Sequence, residues 1–397
     1  MGIYTEEKTE ELKMKIALCS DSFLPVIDGV GRVVYEYAKQ LALRGNECYI
    51  ITPYQDSGYR GGNPFEIVDF ISHALPSAQQ YRTGIAMLDS HYAERIKSLD
   101  FDVIHAHTPG FSGYEAVRLA DKLGKPLVGT FHSKYYDDFL RITKSDVLAS
   151  LGAKYVAKFY QACSEVWTVS EYAAEVLRSY GYEGDIRIVL NGSEVRAPKP
   201  EYEEQARREF GLDPQTPVLL YVGQIDRKKN LNNVVVAAAL CRKRRYKFRL
   251  VLAGKGQDRD ELEALAKTVG LDDVLFTGHV TDVNLLDGLY MSAELFLFPS
   301  MYDTAGLVIR EAAVMGTPSV VSRGSAPAEC IRDGENGLVC ENDPESLSKA
   351  ICRYLELPAG ERARISENAR KTVPVAWESV FDEVEACYRR LILSGEG

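Results

Sequence analysis

Pro299-Ser300-Met301-Tyr302-Asp303-Thr304-Ala305-Gly306-Leu307-Val308-Ile309-Arg310-Glu311-Ala312-Ala313-Val314-Met315-Gly316 decides how this chain is read. The apolar run 295–298 ahead of it predicts a strand, and Pro299 and Ser300 lead into a tight turn carrying Asp303 and Gly306. A helix is expected from near Gly306 to Gly316, with Pro318 just beyond. The first turn of such a helix presents N–H groups and a partial positive charge, which makes it a cradle for an anion. Gly306 lets a ligand approach the backbone closely. Asp303 stands at the mouth, and Glu311, eight residues on, is expected two turns along the same helix face. Carboxylates beside an anion site are suited to accept hydrogen bonds from hydroxyls, which points to a sugar and a ribose.

Outward from this stretch, short apolar runs alternate with amphipathic ones. In the second half strands are expected over 218–222, 248–253, 275–277, 295–298, 319–321 and 337–339. Helices are expected over 231–241, 259–269, 283–290 and 307–315, and again from 344 onward. The first half gives strands over 15–20, 48–52, 103–107, 127–131, 166–169 and 186–190. Its helices are expected over 30–43, 114–123, 146–162 and 172–180, around a Gly/Pro/Gln-rich middle. This alternation means parallel sheets covered on both faces, in two copies. The polar stretch 194–204, with Pro198 and Pro200, reads as a linker. The expected organisation is a polar extension over 1–13, a first α/β domain over 14–194 and a second over 195–375. A final helix over 376–397 is expected to pack back on the first domain. Ligands of open parallel sheets sit at the carboxyl ends of the strands, so two such domains would face a central cleft.

Composition narrows the partners. The 397 residues are 46% hydrophobic and 26% charged, the pattern of an ordinary globular protein of two domains. A net charge of −10 argues against nucleic acid. The eight cysteines stand singly with no C-x-x-C pair, which fits reduced thiols and a cytoplasmic protein. No signal peptide or long apolar span is read in the chain.

Four further motifs end predicted strands. Ser20-Asp21-Ser22-Phe23-Leu24-Pro25-Val26-Ile27-Asp28-Gly29-Val30-Gly31 opens the first helix, and Gly29 and Gly31 can bring amides to a phosphate. A dinucleotide fingerprint would need a third glycine near Val34 and an acid where Thr52-Pro53 stand, so a dehydrogenase loses support. His105, His107 and His132 end strands, yet no acid or cysteine has a credible ligand spacing, so no metal is expected. In Val222-Gly223-Gln224-Ile225-Asp226-Arg227-Lys228-Lys229-Asn230, cations crowd a helix start, which suits an anionic ligand better than the helix dipole. Ala253-Gly254-Lys255-Gly256-Gln257-Asp258 is a second glycine turn, with Asp258 placed to cap the next helix. The basic run 242–247 ends a helix, and Tyr155, Phe159 and Tyr160 lie at helical spacing beside Lys154 and Lys158. Both allow either ordinary packing and solvation or a peripheral membrane contact.

Taken with these motifs, the Asp303–Glu311 element resembles the E-x7-E element of family-4 retaining glycosyltransferases, which have the GT-B fold of two Rossmann-like doubly wound domains. The glycine turn of 20–31, His132 in Phe-His-Ser, the Asn191-Gly192-Ser193-Glu194 hinge, Lys229 and Gly254 match further family motifs. Two departures stand out: Asp303 replaces the usual Glu, and Gln224 replaces an Arg. The resemblance implies transfer of a sugar from a nucleoside-diphosphate sugar to a hydroxyl of a lipid or glycan, with retention and without metal or cofactor. It implies that Lys229, with the amides of Ala305, Gly306 and Leu307, holds diphosphate, and that Thr304 belongs to the donor site. Asp303 would hold sugar hydroxyls, Glu311 the ribose, and His132 the sugar near the reacting bond. Gly29, Gly31, Gln224, Arg227 and Gly254 would line the donor, with Arg227 or Lys228 standing in for the missing Arg. A nucleotide-sugar-binding pseudoenzyme and a sugar-nucleotide epimerase are the alternatives.

Overall fold

The computed structural model describes residues 13–24, 28–54, 61–75 and 78–395. The extension before residue 13 and the 25–27 part of the first glycine turn lie outside the described residues. The chain divides into two compact units. Unit 1 takes in the chain to Trp167, Leu177–Arg187 and Phe381–Gly397, and unit 2 takes in Thr168–Val176 and Ile188–Val380.

In unit 1 the strands are β1 (Lys15–Cys19), β2 (Glu47–Pro53), β3 (Glu66–Phe70), β4 (His73–Leu75), β5 (Ala78–Thr83), β6 (Val103–Ala106), β7 (Leu127–Phe131), β8 (Glu165–Thr168) and β9 (Ile186–Ile188). Seven form one sheet in the order β3-β2-β1-β6-β7-β8-β9, with β4 and β5 in a separate antiparallel pair. β1 pairs in parallel with β2 on one side and β6 on the other. The helices are α1 (Gly29–Leu43), α2 (Ser90–Lys97), α3 (Phe111–Leu123), α4 (Tyr135–Thr143) and α5 (Asp146–Gln161), and α6 (Glu171–Ser179) belongs to unit 2 as far as Val176 and to unit 1 from Leu177. Burial explains the strand sequences: β1, β6 and β7 have almost no exposed residue, so they read as continuous apolar runs.

In unit 2 the order is β12-β11-β10-β13-β14-β15, every pairing parallel. The strands are β10 (Val218–Val222), β11 (Arg249–Ala253), β12 (Leu275–Gly278), β13 (Leu295–Phe298), β14 (Ser319–Ser322) and β15 (Gly337–Cys340). The helices are α7 (Pro200–Phe210), α8 (Leu231–Lys243), α9 (Arg259–Thr268), α10 (Val283–Ser292), α11 (Leu307–Val314), α12 (Pro344–Leu355) and α13 (Ala359–Thr372), and the last helix, α14 (Trp377–Gly395), starts in unit 2 and belongs to unit 1 from Phe381 onward. The buried faces of α8, α10, α11 and α12 join the strands in one apolar core. In both sheets the first strand lies between neighbours that run off in opposite directions, β1 in unit 1 and β10 in unit 2. Such a reversal opens a crevice at the carboxyl ends, because the two following connections leave on opposite faces.

Three expectations change here. The supposed linker 194–204 contains the start of α7, whose Pro200 sits in its first turn. Proline is tolerated there because that N–H has no partner within the helix in any case. The Gly/Pro/Gln-rich middle holds β3, the β4–β5 pair and α2. A further helix, α4, precedes α5, the two being separated by Lys144 in a left-handed conformation and by Ser145, whose hydroxyl caps α5.

Candidate functional site

In unit 2, the loops leaving β10 and β13 meet at the strand-order reversal. Asp226 caps the short turn Arg227–Lys229 by accepting from the Lys228 amide at 3.0 Å. Asn230, at φ 57°, donates from Nδ2 to the Pro299 carbonyl at 2.9 Å, which ties the two loops together. These constraints set Lys229 Nζ 2.5 Å from Asp303 Oδ1. The other carboxylate oxygen, Asp303 Oδ2, is buried and has no hydrogen-bond partner among the described residues. Lys228 Nζ lies 4.0 Å from the centroid of the Tyr302 ring and Lys229 Nζ 5.4 Å from it. Two ammonium groups therefore lie against one aromatic ring beside a carboxylate with one unsatisfied oxygen. A buried acceptor left without a donor costs about 1–3 kcal/mol, which a ligand hydroxyl would recover.

The turn after Asp303 reaches α11 through Gly306, at φ 62°. A Cβ there would stand 2.9 Å from Pro327 Cγ, so conformation and space both call for glycine. No side chain caps α11, and its first-turn amides are of the kind that hold anions. Glu311 Oε2 accepts from the Tyr290 hydroxyl at 3.2 Å. The expectation that Asp303 and Glu311 share a helix face is corrected, because α11 begins only at Leu307 and Asp303 belongs to the turn. The eight-residue spacing spans a left-handed turn plus one helical turn.

Arg227 is drawn away from this centre. Its guanidinium pairs with Glu261 and lies 3.8 Å from Asp258, on the α9 side. Gln224 is exposed and contributes a carbonyl that accepts from the Tyr221 hydroxyl at 2.8 Å. Of the two cations considered in place of the family arginine, Lys228 is the one beside Lys229. Gly254 has a structural reason of its own: a Cβ would stand 1.8 Å from the Gly223 carbonyl oxygen. Asp258 does not cap α9 as expected; its Oδ2 accepts from the Arg227 amide at 2.7 Å.

Sequence reasoning missed the support behind the turn. Ser170 Oγ donates to the Thr304 carbonyl at 2.7 Å, and the Tyr172 hydroxyl donates to the Met301 carbonyl at 3.1 Å. Glu329 accepts from the Glu171 and Tyr172 amides at the start of α6. No local pattern could have announced these contacts, which join residues more than a hundred positions apart.

In unit 1, the loops leaving β1 and β6 meet in the same way. Asp21 Oδ2 accepts from the Thr108 hydroxyl at 2.6 Å, and Oδ1 from the Ser112 amide at 2.9 Å. Burial raises the Asp21 carboxyl, and these hydrogen bonds oppose the rise. Asp28 Oδ1 accepts from the Gly31 amide at 2.7 Å. That amide therefore serves the cap of α1, and a carboxylate stands where a phosphate was expected. A Cβ at Gly29 would meet open space.

The histidines are buried together. His107 Nδ1 and His132 Nε2 are 3.0 Å apart, with their rings 18° from parallel. His105 stacks on His107 at 4.0 Å between ring centroids and bonds the Tyr388 hydroxyl and Thr130 Oγ1. His107 Nε2 has no partner among the described residues. Burial lowers His132 to about 3. Burial also lowers His105 and His107, and the neighbouring histidines add to the effect. The trio is neutral at physiological pH and works through hydrogen bonds. Among the described residues no group of three or more His, Cys, Asp or Glu is placed to hold a metal ion.

Two family models match the chain. Residues 203–372 match "Glycosyl transferases group 1" and residues 27–196 match "Glycosyltransferase Family 4". The alpha-monoglucosyldiacylglycerol synthase of Streptococcus pneumoniae is 26% identical over 396 residues, covering 96% of this chain and 87% of that one. A D-inositol 3-phosphate glycosyltransferase of Acidothermus cellulolyticus is 30% identical over 306 residues, covering 73% and 67%. Among solved structures, the sucrose-phosphate synthase of Thermosynechococcus elongatus superposes with a TM-score of 0.79 at 22% identity, covering 96% of this chain and all of that one. Anabaena HepE in complex with UDP-glucose gives 0.76 at 18% identity, covering 95% and 100%.

Proposed function

The chain belongs to the family-4 glycosyltransferases and has their GT-B fold, and from that premise we propose that it transfers a sugar, with retention and without a metal ion, from a nucleoside-diphosphate sugar to a hydroxyl acceptor. The observation that carries this reading is the Lys229–Asp303 pair at the strand-order reversal, with Lys228 beside it and Asp303 Oδ2 unsatisfied. A diphosphate takes Lys229 and Lys228 as counter-charges and the amides of Ala305, Gly306 and Leu307 as donors. Asp303 then accepts from sugar hydroxyls, and Glu311 from the ribose. In the reaction the anomeric carbon loses its bond to the phosphate oxygen and gains one to the acceptor oxygen on the same face. The acceptor proton passes to the departing phosphate. This chain's groups act by holding the developing charge of the leaving group and by positioning. His132, held neutral by its burial in unit 1, is suited to a hydrogen bond with a sugar hydroxyl.

A donor of the UDP class is supported by the structural likeness to HepE with UDP-glucose. A lipid acceptor is supported by the diacylglycerol-glycosylating relative, and an acceptor of the glycan or polyol class by the inositol-phosphate relative. A cytoplasmic location with a peripheral membrane contact completes the proposal; the eight cysteines stand as free thiols. Among the described residues no helix is long and apolar enough to cross a membrane. The test is incubation with labelled UDP-, GDP- and ADP-sugars in the presence of a chelator, offering lipid extracts and soluble acceptors separately. Transfer with an unchanged anomeric configuration supports the reading. Inversion, or turnover that stops with the chelator and returns with a metal, overturns it.

A further inference from the structure

Helix α5 was expected to offer Tyr155, Phe159 and Tyr160 either to a core or to a surface. The structure splits them: Phe159 and Tyr160 are buried, while Tyr155 is exposed. It also exposes three residues the sequence did not single out, Val147, Leu148 and Leu151. Together with Tyr155 these four are 53–70% exposed. Their spacing places them on one face of α5. The opposite face, with Ala149, Ala153, Val156 and Phe159, is the one buried in unit 1.

The apolar surface continues beyond the helix. The Tyr155 ring lies 5.5 Å from the Tyr114 ring at the start of α3, where Phe111 is also exposed. The short turn Ala86–Leu88 packs on α3 and exposes Met87 and Leu88 by 68% and 76%. Scattered exposed leucines are ordinary, but a run of this length across three elements marks a contact surface.

Charge selects the partner. On α4, Arg141 is paired with Asp138 at 3.4 Å and Asp137 stands beside it, but from residue 147 to residue 164 the chain carries Lys154 and Lys158 and no acid, although its net charge is −10. Both lysines are exposed. Lys154 and Lys158 share the apolar face of α5, one and two turns beyond Leu151. A local excess of positive charge around bulky apolar side chains matches a bilayer with anionic headgroups: the lysines meet phosphates and the leucines enter the acyl boundary.

We propose that the exposed face of α5, with Tyr114 and the Ala86–Leu88 turn, docks unit 1 on an anionic membrane surface. The proposal deepens the lipid-acceptor reading above, since docking brings the enzyme to an acceptor held in a bilayer. The basic run at the end of α8 is less suited to this task. Its Arg242 bonds Asp273 at 2.6 Å and lies over the Phe248 ring, so part of that charge is committed within unit 2.

The experiment is co-sedimentation of the full chain with vesicles of phosphatidylcholine alone, or of phosphatidylcholine with phosphatidylglycerol. Wild type is expected to bind the anionic vesicles, more weakly as salt rises, and to leave the neutral ones largely unbound. Lys154→Gln and Lys158→Gln are each expected to weaken binding roughly five-fold, and Leu148→Gln with Leu151→Gln by more than ten-fold. The donor-dependent rise in melting temperature of each variant should match that of wild type. Equal binding by wild type and variants, or none to anionic vesicles, overturns the proposal while leaving the transferase reading untouched. A concentration-dependent dimer that the leucine substitutions dissociate would overturn it in favour of a second copy of the chain. Loss of the donor response in wild type as well would instead strike at the transferase reading.

Discussion

Acidification should unfold unit 1 through its three buried histidines, and the size of the effect follows from their burial. An unfolded histidine titrates near its ordinary value of about 6.5. In the folded protein His132 is held at about 3, and His105 and His107 also lie well below their ordinary value. Below pH 6.5 the unfolded chain takes up protons that the folded chain refuses, so stability falls as pH falls and levels off only below the folded values. At pH 5 each histidine still neutral in the fold costs about 2 kcal/mol, and three cost about 6 kcal/mol. Domains hold together by about 5–15 kcal/mol in all, so this is a large share. Asp21 acts in the opposite sense: its raised carboxyl takes up a proton in the fold first and returns part of the loss. The assay is urea unfolding followed by near-ultraviolet signal from pH 8 to pH 4.5. The expected stability is flat above pH 7 and falls below 6.5 with a slope approaching three protons. His107→Gln should be less stable at pH 8 yet lose less on acidification, by about one proton. A wild-type slope below one proton, or an unchanged slope in the variant, would refute the reasoning.

Two further outcomes follow from the second unit. Lys228→Met should weaken donor binding at least roughly ten-fold, because it removes a charge-assisted contact worth about 1.5–3 kcal/mol, while Arg227→Met should leave binding within two-fold; calorimetric titration with the donor distinguishes them. Gly254→Ala should lower stability by about 3 kcal/mol, the upper end for overpacking, in chemical unfolding, because the new methyl would sit 1.8 Å from the Gly223 carbonyl and must displace backbone.

Much of this was legible in the chain. Strand-helix alternation announced two parallel α/β sheets, because strands buried on both faces must be continuously apolar. The motif residues announced the switch-point loops, because glycine, cations and acids gather where backbone meets ligand. The failures have physical causes. Pro200 was taken as a breaker although proline is at home in a helix's first turn. α4 is a short helix of nine residues without a fully buried one, and Asp137 and Asp138 break the apolar run of Tyr135, Tyr136, Phe139 and Leu140, so its stripe is easily passed over in the sequence. The Asp303–Glu311 spacing looked helical because a count of residues cannot show that Gly306 is left-handed. Arg227 and Lys228 are neighbours with the same charge, and only the tertiary position of Glu261 separates their roles. Ser170 and Tyr172 support the turn across a long stretch of sequence, which no local pattern encodes.

The most direct measurement of the central claim is the melting temperature of the purified chain with UDP, GDP, ADP and their sugar conjugates, in chelator. It is compared with Lys229→Met and Glu311→Ala. A donor at a hundred times its dissociation constant should add about 2.7 kcal/mol of stability. The account predicts a rise with one nucleotide class in wild type that is lost in both variants. No rise with any of them, or a rise that both variants keep in full, would contradict it.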